Sequence, residues 1–191
     1  MPAATLEDLR RARRVLFHVV TGSGKSTAAL ALGTVLGLPV TLVDERIGWL
    51  PGWAQRPVEE QVAIADRITS GPAWILDSAY GSYRASATAR ADVVVGLDYS
   101  RARTFARLGR RTAGRAARGT EVCNGNVETW ARAVGPYSIL RWHAQSFDRK
   151  RAWIRAREAD DAGTPVLRLT RPRQWERVLA ALARDGGSAR H

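Results

Sequence analysis

The stretch VVTGSGKSTAALALG, residues 19–33, sets a threonine, two glycines, a lysine and a serine between an apolar run and a string of alanines and leucines. Glycines at 22 and 24 let successive backbone N–H groups turn inward toward one anion, and a helix opening at Lys25 adds the positive end of its dipole. An apolar strand, then Thr21-Gly22-Ser23-Gly24-Lys25-Ser26-Thr27, then a helix is the context in which a chain cradles phosphates. On this reading Gly22, Ser23, Gly24, Lys25, Ser26 and Thr27 hold the phosphates of ATP, with Lys25 on the β- and γ-phosphates and the Ser26 hydroxyl on Mg²⁺. The pattern GxxxxGK[ST] puts its first glycine at position 19, where this chain has Val19. The later glycines make the close approach, so the loop can still close, and Val19 leaves its entry angle and nucleotide affinity open.

Carboxylates at the ends of apolar runs are the next candidates, because ligands of a doubly wound sheet lie outside the carboxyl ends of its strands. Asp44 ends TLVD, Asp77 ends WILD and Asp98 ends VVVGLD. Asp77 stands where a Walker B acid holds Mg²⁺, directly or through water. Asp44 is placed to take a proton from a substrate hydroxyl or to bind it; the alternative is a solvated Asp44-Glu45 turn. Asp98, two residues before Ser100 at a helix start, reads as a structural cap. Trp49, Trp53, Tyr80 and Tyr83 flank Asp44 and Asp77, and either line an acceptor pocket or pack the edge of the core. His18, His143 and His191 lack metal-ligand spacing.

Arginines recur at 101, 103, 107, 110, 111, 115 and 118. Arg107 shares a helix face with Arg103, Arg110 and Arg111, and Arg111 with Arg115, and like charges so placed repel unless an anion sits among them. Planar guanidinium groups suit phosphate and stabilise a phosphoryl transition state, a catalytic role for Arg107 and Arg111. The rival reading is a solvated or nucleic-acid-binding face. Arg149 and Arg151 around Lys150 form a second cluster of this kind. The segment VCNGN, Val122 to Asn126, reads as a turn.

These groups need a scaffold, and the sequence predicts an α/β one. Apolar runs at Val15–Val20, Val40–Val43, Ala73–Leu76, Val93–Leu97 and Val166–Leu169 lack polar alternation, as parallel strands buried on both faces do. Helical segments lie between and after them: Lys25–Leu36, Pro57–Thr69, Ser100–Ala117, a long stretch from Val127 to Ala159, and Pro172–Ala183. Gly37 reads as a C-cap, Pro57 and Ser100 as helix starts, and Thr170 with Pro172 as a cap and first turn. Gly109–Gly125, glycine-dotted and basic, reads as a mobile excursion. A length of 191 residues is that of one domain.

Thirty basic against eighteen acidic residues give a net charge of +12, nearly all of the basic ones arginine. Polyanionic partners follow: nucleotides, phosphorylated metabolites or nucleic acid. A hydrophobic share of 45% with no membrane-length apolar run predicts a soluble protein. The apolar run after Arg10–Arg14 is too short for a secretory signal, and a single cysteine, Cys123, allows no internal disulfide, so the expected location is the cytoplasm.

Taken in order, the phosphate loop, LVDERIGWLPGW, WILDSAYGSYR, VVVGLDYSRARTFARLGRRT and CNGN resemble the bacterial P-loop proteins related to adenylate kinase, labelled topology modulation or FlaR-like proteins. The resemblance runs from Arg14 to about Leu182. It implies a five-stranded parallel sheet flanked by helices, an acceptor-binding region and an arginine-rich helical lid within residues 109–160. By position it implies Gly22 to Thr27 on the ATP phosphates and Ser26 and Asp77 at Mg²⁺. It also implies Asp77 near the acceptor and Arg84 as an acceptor-phosphate arginine, and Arg107 and Arg111 toward ATP; the residue reading adds Asp44 and Tyr80 at the acceptor and Arg110, Arg111, Arg149 and Arg151 in the lid. Thr170–Pro172 would lie near the adenine. This sequence departs from the family at Val19, at Ser78-Ala79 in place of Gly-Asn, and at Cys123 in place of tryptophan. The expected function is a Mg²⁺-dependent kinase moving the γ-phosphoryl group of ATP to a small acceptor, a nucleoside monophosphate or a hydroxylated molecule such as an antibiotic or sugar. The alternatives are a nucleotide-dependent regulatory or nucleic-acid-binding protein, or a degenerate loop that binds nucleotide poorly. Membrane partners are not expected.

Overall fold

A computed structural model describes residues 3–188, with side chains to Arg184; the expectation for His191 lies outside the described residues. The chain opens with α1 (Leu6–Arg11), fixed by a reciprocal cap in which the Thr5 hydroxyl accepts from the Asp8 amide while the Asp8 carboxylate accepts from the Thr5 amide. It continues through β1 (Arg14–Val19), α2 (Lys25–Leu36), β2 (Val40–Thr41), α3 (Val58–Thr69), β3 (Trp74–Leu76), α4 (Arg84–Arg90), β4 (Val93–Leu97) and α5 (Arg101–Arg118). A hairpin of β5 (Glu121–Val122) and β6 (Asn126–Val127) leads to α6 (Trp130–Val134), α7 (Ile139–Glu158), β7 (Val166–Leu169) and α8 (Pro172–Ser188).

The main sheet has the order β2-β3-β1-β4-β7, and all of its strand pairs are parallel. Because successive side chains in a strand face opposite sides, β1 feeds two cores. Val15, Phe17 and Val19 pack with Leu9, Ala28, Leu32 and Trp175, while Leu16 packs with Trp74, Leu76, Val94 and Ile154. The connection from β1 passes to one side of the sheet and that from β3 crosses back to the other, so the carboxyl end of β1 lies at the switch where a crevice opens.

Placement of α7 depends on a missing side chain. A Cβ at Gly96 would lie 2.7 Å from the Ile154 methyl, so glycine there lets the helix sit down on β4. The ion pairs of Asp98, at the end of β4, hold it there. Its carboxylate is fully buried, 2.8 Å from Arg151 Nε, 3.3 Å from Arg155 Nε and 3.0 Å from an Arg168 terminal nitrogen. Asp98 is therefore not the cap of α5 that local spacing suggests: among the described residues it accepts no backbone N–H of that helix, and Ser100 makes no side-chain cap either. Arg151 is correspondingly drawn to Asp98 rather than to the arginine cluster it was grouped with.

The helix expected over Ser100–Ala117 is α5, which runs unbroken to Arg118 and ends at Gly119 in the left-handed conformation, φ 58°. Two further expectations change. The helix expected across 127–159 is β6, α6 and α7, with Gly135 ending α6 and the Ser138 hydroxyl capping α7 through the Leu140 amide. Thr170 does not cap α8 with its own side chain; instead Gln174 Oε1 accepts from the amides of Thr170 and Arg171.

Gly109 lies in the interior of α5 with open space where a Cβ would go. Gly109→Ala is expected to stabilise the fold by about 0.5–1 kcal/mol, whereas Asp98→Ala, which takes the shared carboxylate from Arg151 and Arg155 and leaves Arg168 with Glu158, is expected to cost about 3 kcal/mol. Urea denaturation of the two variants would contradict this picture if both midpoints moved the same way.

Candidate active site

After β1 the chain turns through Gly22 (φ 85°) and Gly24 (φ 93°) into α2. Both glycines are required twice over. Their backbone is left-handed, and a Cβ would lie 2.5 Å from the Thr104 carbonyl at position 22 and 2.7 Å from the Arg107 guanidinium at position 24. Helix α5 thus packs directly on the loop, and Arg107 donates to the Ser23 carbonyl at 3.3 Å. Helix α2 has no side-chain cap and no acidic residue in its first turn, so no side chain caps its first N–H groups, which face the loop. The buried Ser23 hydroxyl has no hydrogen-bond partner.

Lys25, the first residue of α2, lies between two strand-end carboxylates, 2.7 Å from Asp44 and 3.1 Å from Asp77, and donates to the Ser78 hydroxyl at 3.3 Å. Burial alone would lower the ammonium's pKa, but Asp44 and Asp77 outweigh it and hold the group well above its ordinary value. Asp77 is buried at the end of β3. One of its oxygens accepts the Val43 amide at 2.8 Å and the other the Ser26 hydroxyl at 2.7 Å, in addition to Lys25. Val43 just after β2, Asp77 just after β3 and Ser26 in α2 are thereby drawn to one point.

Asp44 begins a single π-helical turn, Asp44–Gly48, directly after β2. Its carboxyl takes Lys25 on one oxygen and the Tyr80 hydroxyl, at 2.7 Å, on the other. Burial pushes this acid up, but Lys25 and Tyr80 more than offset it and hold it below the usual carboxylate range. Gly48 makes the Tyr80 contact feasible, since a Cβ there would meet the phenol oxygen at 2.0 Å. Asp44 is thus engaged by site groups rather than lying in a solvated turn.

Arg107 and Arg111 form no ion pair with any acid among the described residues. Partial desolvation, then Arg115 and Arg107, pull the Arg111 pKa down, against the opposing pull of Glu128 and Asp44. Arg107, Arg110, Arg111 and Thr27 are exposed. Arg84 opens α4 with its guanidinium 5.8 Å from the Trp153 ring, and Arg149 lies 5.8 Å from the Trp142 ring.

The VCNGN turn is the tip of the β5–β6 hairpin, with Cys123 (φ 37°), Asn124 (φ 65°) and Gly125 (φ 76°) left-handed. Its asparagines fasten it to the segment after β2. Asn124 donates to the carbonyls of Glu45 and Trp49, both at 2.7 Å, and Asn126 donates to the Leu50 carbonyl at 3.0 Å while accepting the Trp53 amide at 2.5 Å. Trp53 donates its indole N–H to the Val127 carbonyl at 3.1 Å and has Arg132 stacked 4.1 Å over its ring, so this tryptophan meets the hairpin rather than the core edge. Burial, then Asp44 and Glu45, push the Cys123 thiol up to about 11, making it a poor nucleophile at neutral pH.

Sequence reasoning passed over Lys150 as a site residue. Its ammonium, on α7, donates to the Thr21 hydroxyl of the phosphate loop at 2.9 Å. The chain has only two lysines, Lys25 and Lys150, and both meet this loop; that scarcity was the available signal. Among the described residues no three His, Cys, Asp or Glu side chains cluster to hold a metal by themselves. The pair Ser26 and Asp77 nonetheless fits Mg²⁺ of the kind that takes a hydroxyl or a single carboxylate and completes its shell with phosphate and water.

Among solved structures, the chain is similar to deoxyadenosine kinase from M. mycoides, at 12% identity over 91% of this chain and 98% of that one, with a TM-score of 0.50. It is also similar to a gluconokinase from Sinorhizobium meliloti 1021, at 19% identity over 93% of this chain and 97% of that one, with a TM-score of 0.49. The first likeness shows the fold: a five-stranded parallel sheet flanked by helices, as in P-loop kinases. No family model matches the sequence, and no curated protein matches it. Among the described residues no helix is long and apolar enough to cross a membrane.

Lys25→Met leaves Asp44 and Asp77 facing each other without their cation, at an expected cost of about 3 kcal/mol at pH 7. In the wild type the Asp44 carboxylate stabilises the fold above its ordinary value of 3.8, and this is lost only as pH falls through the lower folded value. In the variant burial dominates, Asp44 takes up a proton in mild acid, and the stability deficit shrinks between pH 7 and about 5. Thermal denaturation across that range checks this, and a deficit independent of pH would contradict it.

Proposed function

We propose that the protein is a Mg²⁺-dependent kinase that transfers the γ-phosphoryl group of ATP to a hydroxyl of a small acceptor. We place it with the adenylate-kinase-related, FlaR-like branch of P-loop proteins. The observation that carries the reading is the convergence of Lys25, Ser26, Asp44 and Asp77 at the mouth of a glycine loop whose helix has no side-chain cap.

Lys25 can bind either the strand-end carboxylates or a phosphate. ATP phosphates entering the loop compete for the ammonium, and the N-terminal amides of α2 bind them alongside it. Once Lys25 turns to phosphate, Asp44 loses the cation that lowers its pKa while keeping its burial and its Tyr80 hydrogen bond. Its basicity rises where a general base is needed. The acceptor hydroxyl gives its proton to Asp44, its oxygen forms the new bond to the γ-phosphorus, and the bond from that phosphorus to the β–γ bridging oxygen breaks, its electron pair leaving with ADP. Ser26 and Asp77 would hold Mg²⁺, which would neutralise charge on the phosphates.

Arg107, already against the loop, and Arg111 offer their guanidinium groups to charge developing on the transferred group. The chain works as one unit in this reading, and residues 109–160, with Arg110, Arg111 and Arg149, act as an arginine-bearing lid. Asparagine bonds from its hairpin to the segment after β2 couple lid position to the acceptor side. Arg107 on the Ser23 carbonyl of the phosphate loop favours this reading over a nucleic-acid surface.

ADP release from Mg²⁺·ATP is the test, run against nucleoside monophosphates, nucleosides, sugars, sugar acids and aminoglycoside-like antibiotics. Acceptor-stimulated release is expected, absent in Lys25→Ala and lowered about 10²–10⁴-fold by Asp44→Asn, with ATP binding retained in Asp44→Asn. Undiminished turnover in Asp44→Asn would remove that residue from the chemistry. Background release with every acceptor, together with DNA retention at ~150 mM salt, would favour the nucleic-acid reading instead.

A further inference from the structure

Thr21 and Gly22 are consecutive residues of the phosphate loop, and a different helix meets each of them. From α7 the Lys150 ammonium donates to the Thr21 hydroxyl at 2.9 Å. From α5 the Thr104 carbonyl approaches the Gly22 backbone so closely that a Cβ there would lie 2.5 Å from it, and 3.2 Å from Leu108 one turn further along the helix. The shape of this turn therefore depends on how α5 and α7 stand to each other. A shift of either helix alone would move one of the two adjacent residues and not the other.

Among the described residues, two side-chain hydrogen bonds join these helices. The bond from Arg101 to Asp148, 2.5 Å, lies between side chains that are both half or more exposed, where an ion pair contributes little. The 2.9 Å bond between Thr104 Oγ1 and His143 Nε2 is shut away from water, with Thr104 0% and His143 1% exposed. Thr104 Oγ1 also lies 3.1 Å from the carbonyls of both Ser100 and Arg101. Its single proton goes to the backbone of its own helix, so the oxygen accepts from His143 Nε2–H and fixes that tautomer.

The imidazole is held for this bond from two sides. Phe105 of α5 meets it edge-on with ring centroids 5.4 Å apart, and Phe147, one turn along α7, lies at 5.3 Å. Burial, then Arg101 and Lys150, keep the His143 pKa below its ordinary value of 6.5, so at neutral pH the ring is an uncharged donor. His143 and Lys150 stand two turns apart on α7 and so share a face of it. One end of that face holds α5, and the other reaches the loop.

These contacts close a ring: Gly22 to Thr104, Thr104 to His143, along α7 to Lys150, and back to Thr21 beside Gly22. We propose that His143 is a positioning residue for the phosphate loop, which holds α5 and α7 at the spacing that gives the Thr21–Gly22 turn its phosphate-binding form and does not itself touch the ligand. Successive loop amides must converge on one anion, so a small displacement of this turn weakens binding. The proposal rests on the kinase reading only for taking the ligand of the loop to be ATP.

Two measurements on the full chain test it, and the first needs no nucleotide. Amide hydrogen exchange of the ligand-free protein is followed in the segment 19–27, where the Ser23 amide donates to the Val20 carbonyl at 3.2 Å. His143→Leu and the nearly isosteric Thr104→Val are each expected to speed exchange there about five- to tenfold, and the double variant no more than either alone. His143→Gln, whose amide N–H can stand in for Nε2–H, is expected to stay within about twofold of the wild type. Leu9→Ala, which opens the core beneath α1, is the control for a general loss of stability. Loop exchange no faster in Thr104→Val and His143→Leu than in Leu9→Ala, at equal loss of global stability, overturns the proposal. So does a His143→Gln protein as loose in the loop as His143→Leu. Thr104→Val decides the matter alone if His143→Leu does not fold.

In the second measurement a non-hydrolysable Mg²⁺·ATP analogue is titrated into the same proteins. A Kd about five- to tenfold weaker in His143→Leu and Thr104→Val, and near that of the wild type in His143→Gln, is expected. In ADP release the change appears in KM for ATP, while KM for the acceptor stays within about twofold. An unchanged Kd in both variants overturns the proposal. Absence of binding by every protein, the wild type included, removes the kinase reading, and the exchange data then decide the role of His143 by themselves.

Discussion

One ammonium held between two carboxylates organises this protein. Lys25 opens α2, Asp44 follows β2 and Asp77 ends β3, so three chain segments that a doubly wound topology brings only roughly together are fixed to within hydrogen-bond distance. Buried charges must be matched, and here the match is arranged at the carboxyl edge of the sheet, where the fold also presents an uncapped helix end. Asp77 closes the arrangement by taking the Val43 amide and the Ser26 hydroxyl. An anion that displaces the carboxylates from Lys25 changes the charge state of the acids it leaves. Binding and proton transfer are therefore linked through a single side chain.

A second constraint works from the other side of the sheet. Helix α7 is seated by the notch at Gly96 and held by the charges around Asp98. From that fixed position it delivers Lys150 to the loop, while α5 presses Thr104 and Arg107 onto the two loop glycines. The glycines of the phosphate loop thus serve the protein's own packing as well as any ligand: a side chain at 22 would push the α5 backbone away, and one at 24 would displace the Arg107 guanidinium. The β5–β6 hairpin completes the enclosure by spending asparagine amides on the carbonyls of the segment after β2.

What could be read from sequence was what is encoded locally. The phosphate loop, the strand-end acids at 44 and 77, and the five parallel strands each announce themselves within about ten residues, through apolar runs, glycine placement and helix punctuation. Asp98 misled because its partners lie 57 and 70 residues away, and spacing to Ser100 suggested a cap that burial overrules. Lys150 was missed as a site residue because Thr21 is 129 residues distant. Gly109 and Gly114 lie inside the helix read over Ser100–Ala117, and tertiary contacts such as the 2.9 Å bond between Thr104 and His143 accompany that helix despite their low propensity. Capping by Thr5 and Asp8 was present in the sequence, and only the shortness of α1 hid it.

The proposed chemistry requires Lys25 to exchange its carboxylates for phosphate. Calorimetric titration of a non-hydrolysable Mg²⁺·ATP analogue, repeated in buffers of different ionisation enthalpy, tests this directly, because it reads affinity and proton exchange together. Micromolar binding with net proton uptake near pH 6, as Asp44 rises in pKa on losing Lys25, is the predicted result. Binding with no protons exchanged at any pH, or no binding at all, would contradict it.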